Sequence, residues 1–480
     1  MLFTEPTFLF GFLPVLLAIY YMAPARARNA LLVVASVIFY ARDGGAFTWI
    51  ILGSILVNTT AAIWVERLGR TRQARLLLAG IVGLNLLSLI TFKYAGFLVQ
   101  NVNAGLTSIG AGTFAVPSLL LPIGISFFTF HSISYIVDVY RRQAVAQKGP
   151  IGAALYLLFF PQLIAGPIIR YHDIAAQITG RVHTTAQFAL GVRRFSIGLA
   201  KKLLIASIVA RPVDAIFAMP ADELTAAHAW LAIAGYTLQI YFDFSGYSDM
   251  AIGLGHMFGF TFPENFRYPY IASSVQEFWK RWHISLSTWF RDYLYIPLGG
   301  NRRSPGRVYL NLATVFFLCG LWHGAAWTFV VWGLLHGLFL VLERIGLGDL
   351  LERVPKPVGW VYTLAMVMTG WVFFRADSIA SALAMLRALV GFGTGAPTPY
   401  AASWYLTPEL VLAMVAGIIG SMPIVPLLSR AASQPSPGEG HARWYPAWEA
   451  GAVLAVVLLL AVSITQVALG AFTPFIYFRF

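Results

Sequence analysis

The sequence predicts an all-α polytopic membrane protein, and three observations carry that prediction. Apolar runs recur from end to end of the 480 residues, each about the 17–25 residues that a helix needs to cross a bilayer. Only 11% of the residues are charged while 58% are hydrophobic, and the mean hydropathy is +0.72; soluble domains carry roughly 25% charged residues. The runs are continuous, whereas a membrane β-barrel would show short segments of alternating hydrophobicity.

In chain order the predicted spans lie near residues 7–23, 30–42, 46–64, 76–96, 118–140, 151–168, 203–218, 227–258, 308–342, 358–374, 406–428 and 447–471. With the longer runs broken in two, this gives roughly eleven to thirteen helices. Arg26 and Arg28 follow the first apolar run instead of preceding it, so it reads as a helix running inward and not as a cleavable signal peptide. Charge then alternates as orientation requires. Arg67, Arg70, Arg72 and Arg75, and later Arg141, Arg142 and Lys148, face the cytoplasm, while Asp43–Gly45 and the uncharged Asn101–Thr113 face outside. The net charge of +13 is thus a property of short connections between spans, with Arg193-Arg194 and Lys201-Lys202 read as basic pairs ahead of the next span, and no nucleic-acid partner is expected. Ser429–Arg443, rich in Pro, Gly and Ser, reads as a surface loop. One integral-membrane domain over residues 1–480 is expected, with no internal repeat of the inverted transporter type. The single cysteine, Cys319, excludes an internal disulfide and a cysteine metal cage, and its apolar surroundings suit packing.

Residues 263–337 are where ionisable groups enter apolar sequence, which is costly in hydrocarbon and marks a functional region. Laid out as one helix, Ser274–Ile296 places Glu277, Lys280, Arg281, Thr288, Arg291 and Asp292 on one stripe. Trp279, Trp282, Leu286, Trp289, Phe290 and Tyr293 fall opposite, with His283 at the edge of that aromatic face. Two readings follow: an interfacial amphipathic helix, or the wall of a funnel at membrane depth with His283 pointing inward. Further on, His323 lies inside an apolar run among Gly320, Gly324, Ala325 and Ala326, small residues that admit another backbone or a substrate. Burial disfavours the charged imidazole, leaving a neutral ring available as a general base; the plainer alternative is a structural histidine bonded to a neighbouring helix. His336, thirteen positions on, would fall nearly opposite His323 on one helix, so the two do not form a metal pair and no metal site is expected. Asp243 and Asp249 fall on different helical faces and suit a buried polar network with Ser245, Tyr247 and Ser248. Gly166-Pro167 suits irregular backbone, and His131 suits packing. Lys280, Arg281 and Arg291 fit the phosphates of a nucleotide-bearing donor as well as they fit ordinary interface charges. No Walker loop or dinucleotide fingerprint occurs.

FWKRWHISLSTWFRDYLYIPLGGNR at 278–302, followed by LWHGAAWTFVVWGLLHG at 321–337, closely resembles the bacterial membrane-bound O-acyltransferase (MBOAT) family. The likeness is strongest to its alginate O-acetyltransferase branch and weaker to its teichoic-acid D-alanyl branch. FLFGFLPVLLAIYY at the start, LPIGISFFTFHSISYIVDVYRR, FFPQLIAGPIIRYHDI, YFDFSGYSDMAIGLGHMFGF, PENFRYPY and the C-terminal PFIYFRF carry the same likeness over nearly the whole chain. The resemblance implies a ring of tilted helices around a central tunnel in the bacterial inner membrane. An acyl-thioester donor such as acetyl-CoA would enter from the cytoplasm, with no bound cofactor. The acceptor would be an extracytoplasmic polysaccharide, reached directly or through a periplasmic SGNH-type partner protein. His323 of the Trp-His-Gly motif is the implied catalytic residue, and His283 a supporting one, since many eukaryotic members carry Asn there. Trp282, Trp322, Lys280, Arg281, Arg291 and Asp243 are candidates for substrate binding. The competing classes are a transporter or flippase, a non-catalytic scaffold for periplasmic polysaccharide-modifying proteins, and an O-acyltransferase for another cell-wall acceptor such as peptidoglycan or teichoic acid.

Overall fold

The computed structural model describes residues 1–393, 400–433, 445–470 and 475–476. Among these residues the structure is helical throughout, with no strand. Most of the loop expected at Ser429–Arg443, and most of the C-terminal PFIYFRF, lie outside the described residues. Among the described residues, five helices are long and apolar enough to cross a membrane, or six if the pair bent by 59° at residues 421–423 forms one span. The other predicted runs are helical too, but shorter, interrupted or more polar.

The chain forms two compact units, Met1–Val192 with Ala251–Pro263, and Arg193–Met250 with Glu264–Phe480. In the first, the π-helical turn Thr7–Phe12 leads into α1 (Leu13–Met22), followed by α2 (Ala25–Gly44), α3 (Phe47–Leu68) and the 37-residue α4 (Arg72–Ser108). Thr71 caps α4, its hydroxyl accepting from Ala74 N at 3.2 Å. Asn58 and Asn85 exchange amide hydrogen bonds of 3.2 and 2.9 Å between α3 and α4, the kind of polar fastening that joins helices in lipid.

The span expected from 118 begins only at α5 (Ile125–Arg141). Pro117, Pro122 and a left-handed Gly124 (φ 72°) keep the preceding residues non-helical, and a Cβ at Gly124 would lie 2.8 Å from the Leu163 carbonyl. The run at 151–168 is broken into α6 (Pro150–Leu158), α7 (Phe160–Leu163) and irregular backbone through Gly166-Pro167. His131 is fully buried and its Nε2 accepts from Ile169 N at 3.3 Å, so packing accounts for it. Next come α8 (Tyr171–Gly180) and α9 (Thr185–Ala200).

Arg193-Arg194 lie inside α9 and Lys201-Lys202 open a π-helical turn (Lys201–Ala206), so neither pair sits in a connection as the charge pattern suggested. They are retained within helices because carboxylates on another helix neutralise them, as described below. α10 (Ser207–Phe217) precedes α11 (Ala226–Met257), a single unbroken helix of 32 residues. After the central stretch come α12 (Val275–Arg281), α13 (Ile284–Phe290), α14 (Pro305–His323) and α15 (Trp327–Leu342). The chain continues through α16 (Gly348–Arg353), α17 (Lys356–Arg375), α18 (Ile379–Leu389), α19 (Pro408–Gly420), α20 (Ile424–Ser433) and α21 (Tyr445–Ala468).

Candidate active site

The Ser274–Ile296 segment is not one helix. α12 ends at Arg281, Trp282 turns extended, and His283 takes a left-handed conformation (φ 42°, ψ 54°) before α13 begins. The single charged stripe read across this segment therefore does not exist. Its charges instead pair locally: Arg281 with Glu277 at 2.7 Å and Arg291 with Asp292 at 2.7 Å, while Lys280 is exposed. Partial burial pushes the Glu277 carboxyl up, but hydrogen bonds from Ser273 and Arg281 outweigh it and hold the group below its ordinary value.

The break is held from both sides. Ser274 caps α12 by accepting from Glu277 N at 3.0 Å. The Glu343 carboxylate, from the end of α15, accepts from Val275 N (2.6 Å) and Gln276 N (2.9 Å), anionic capping of the amide-rich helix start. On the far side the Asn265 carbonyl accepts from Ile284 N at 3.0 Å, and Arg267 N donates to the Arg281 carbonyl at 2.9 Å. The Asn265 side chain, 1% exposed, completes the clamp. Its Oδ1 accepts from Ser285 N (3.2 Å) and Ser285 Oγ (2.9 Å) and lies 3.1 Å from His283 Nδ1, while its Nδ2 donates to Ser248 Oγ on α11 at 3.0 Å.

The run holding His323 is broken as well. α14 ends at His323, Gly324 is extended (φ −161°, ψ 150°), and α15 packs back against α14. A Cβ at Gly320 would strike the Phe329 carbonyl oxygen, and one at Gly333 the Phe316 carbonyl oxygen, so these glycines admit a neighbouring backbone. His323 and His336 consequently sit on different helices, and the helical phase used to separate them does not apply. Both rings pack edge-on to Trp332, at 4.8 Å and 5.1 Å between centroids. His336 Nδ1 accepts from Trp279 Nε1 at 3.3 Å, which packs the ring into this cluster, away from Trp322, while its Nε2 is buried without a hydrogen-bond partner among the described residues.

His283 and His323, far apart in sequence, come together on Trp322, with centroid distances of 6.1 Å and 4.9 Å. Both are buried, at 0% and 3% exposure. Phe244 closes edge-on to His283 at 4.6 Å, and Phe374 to His323 at 5.1 Å. Trp282 lies one layer away, against Trp371 (4.9 Å), Phe266 (5.1 Å) and Phe278 (5.6 Å). The structure thus brings together His283, His323 and Trp322, sets Trp282 in the packing behind them, and leaves Lys280, Arg281 and Arg291 at the surface or in local pairs. A ring nitrogen in such a dry aromatic enclosure is suited to take a proton from a hydroxyl positioned beside it.

Asp243 and Asp249 serve separate ion pairs. Asp243 pairs with the equally buried Lys202, and its other oxygen accepts from Ile476 N at 2.7 Å. Asp249 binds Arg194 (2.8 Å) and Lys201 (2.7 Å), and Arg194 also grips Glu264. Asp243 is thereby committed to Lys202 and to the C-terminal segment. Removing one partner of such a buried pair costs about 3–5 kcal/mol. Asn265 and Glu343 were not singled out by the sequence, and the basic residues were read only as charge ahead of a span, without these partners. The only signal for Asn265 was its place in the PENFRYPY motif.

Residues 118–374 match the model of the MBOAT, membrane-bound O-acyltransferase family. The chain is 42% identical, over the full length of both proteins, to an Azotobacter vinelandii protein named probable alginate O-acetylase AlgI. It is 39% identical to the peptidoglycan O-acetyltransferase of Helicobacter pylori, over 82% of this chain and 80% of that one. A teichoic acid D-alanyltransferase of Bacillus subtilis is 30% identical over 46% of this chain and 59% of its own length. With a matched region that takes in both buried histidines and full-length relatives above 40% identity, the chain belongs to the membrane-bound O-acyltransferase family and is a multi-pass membrane O-acyltransferase.

Proposed function

We propose that the protein transfers an acetyl group from a cytoplasmic thioester, such as acetyl-CoA, to hydroxyls of an extracytoplasmic polysaccharide, working in the bacterial inner membrane. The observation that carries this reading is the joining of His323 and His283 on Trp322 inside a buried aromatic enclosure. Full-length relatives named for alginate O-acetylation support the acetyl group and the polysaccharide acceptor.

In this reaction His323 takes the proton of the sugar hydroxyl as its oxygen attacks the thioester carbonyl. The tetrahedral intermediate collapses to the ester, the C–S bond breaks, and the imidazolium returns the proton to the departing thiolate. General-base assistance of this kind is worth about 10²–10⁴ in rate. The acceptor side is served either directly or through a periplasmic SGNH-type partner that carries the acetyl group onward. On this reading donor and acceptor reach the site from opposite faces of the membrane, and the exposed Lys280 suits the donor's phosphates. The relative named for peptidoglycan O-acetylation favours a second acceptor, the sugar hydroxyls of peptidoglycan. Product analysis of cells expressing the wild type and His323→Ala tests both: the wild type adds ester-linked acetate to one polymer, and the variant loses it at unchanged protein level. Undiminished acetylation by the variant rejects His323 as the base.

A further inference from the structure

We infer that Asn265 is a positioning residue that locks His283 in the tautomer protonated at Nδ1, leaving Nε2 as a fixed hydrogen-bond acceptor in the active site. The orientation of the Asn265 amide follows from its neighbours. Ser285 N is a main-chain donor, so the Asn265 atom 3.2 Å from it is the carbonyl oxygen. That same oxygen lies 3.1 Å from His283 Nδ1. An amide oxygen only accepts, so Nδ1 carries the hydrogen, and the neutral ring then bears its lone pair at Nε2. The amide nitrogen cannot exchange places with the oxygen, because the main-chain donor Ser285 N would be left facing a donor, and in the present orientation the nitrogen donates to Ser248 Oγ at 3.0 Å.

Nε2 itself is buried and has no hydrogen-bond partner among the described residues. Buried ring nitrogens are normally satisfied, and burying one without a partner costs about 1–3 kcal/mol. His131 and His336 each bury an unpartnered ring nitrogen too; what sets His283 apart is that its ring shares Trp322 with His323, so its free nitrogen is assigned to a substrate. On the acyl-transfer reading above, on which this role rests, Nε2 accepts a hydrogen bond from a hydroxyl of the incoming sugar, beside the hydroxyl that His323 deprotonates. Both rings contact Trp322, and a sugar presents several hydroxyls, so two ring nitrogens in one enclosure suit such a substrate. Asn265 reaches across the α12–α13 break with four side-chain bonds and one main-chain bond, which also fixes where the ring stands.

The test pairs ring-nitrogen NMR with turnover. Full-length protein labelled with 15N-histidine in lipid nanodiscs is compared as wild type, Asn265→Asp and Asn265→Leu, with His283→Asn identifying the His283 signals. Asp keeps every contact, since its second oxygen can accept from a rotated Ser248 hydroxyl; Leu removes the acceptor. The expected result is a bare Nε2 and protonated Nδ1 in wild type and Asn265→Asp. In Asn265→Leu the tautomers mix or reverse, and acetyl transfer falls at least tenfold while Asn265→Asp stays within about threefold of wild type, the span expected when one hydrogen-bonding contact is kept or lost. A wild type protonated at Nε2, an unchanged tautomer in Asn265→Leu, or equal activity losses in the two variants each overturns the assignment. If the wild type transfers no acyl group, the functional reading falls, while the tautomer is decided by the NMR alone.

Discussion

His283 occupies a left-handed backbone conformation (φ 42°, ψ 54°), which costs an ordinary L-residue about 1–2 kcal/mol. Asn is among the few non-glycine residues that tolerate this region, and β-branched residues tolerate it worst. An Asn at this position would therefore suit the backbone whatever it did for the chemistry. His283→Asn should melt close to wild type in detergent, whereas His283→Val should lose a further amount of about 1–2 kcal/mol; equal melting of the two would show that the backbone here is unstrained. The two histidines were legible in sequence because ionisable groups in apolar stretches are costly. The break that presents His283 was not. No glycine or proline marks Trp282-His283, and the group that holds it open, Asn265, lies 18 residues earlier.

At the scale of elements, the α14–α15 pair sets the position of His323. Its crossing depends on Gly320 and Gly333, where added Cβ atoms would meet the Phe329 and Phe316 carbonyl oxygens. Gly320→Val should force the helices apart, costing about 1–3 kcal/mol by overpacking and most of the activity. Gly306→Ala, with open space around it, should leave stability within about 0.5 kcal/mol. Thermal unfolding and turnover of the two variants check this, and a neutral Gly320→Val would contradict the close crossing. The sequence showed small residues around His323 and a run too long for one span, so the break was foreseeable. The phase argument for His336 failed because it carried one helix across Gly324. The Lys202–Asp243 and Arg194–Asp249 pairs were hidden for a different reason: partners such as Arg194 and Asp249 lie 55 residues apart, and hydropathy treats each charge alone.

For the whole molecule, apolar runs located the long apolar helices, since in lipid each span must satisfy its own backbone, but not α8, α9, α12, α13, α16 or α18. Nor could those runs tell continuous spans from broken ones, as α6–α7 illustrates. Orientation rests on the arginines after α3 and the uncharged stretch after α4. Arg70→Cys and Gly110→Cys should react with an impermeant thiol reagent from opposite sides of the membrane, the native Cys319 being buried; labelling from the same side would overturn this topology. His323, in its aromatic enclosure, is proposed as the base for acyl transfer to a hydroxyl. Purified wild-type and His323→Ala protein in proteoliposomes, given radiolabelled acetyl-CoA inside and a soluble polysaccharide outside, test this directly. The expected result is labelled ester on the polysaccharide and a loss of about 10²–10⁴ in rate for the variant. Wild-type rates from His323→Ala would contradict it.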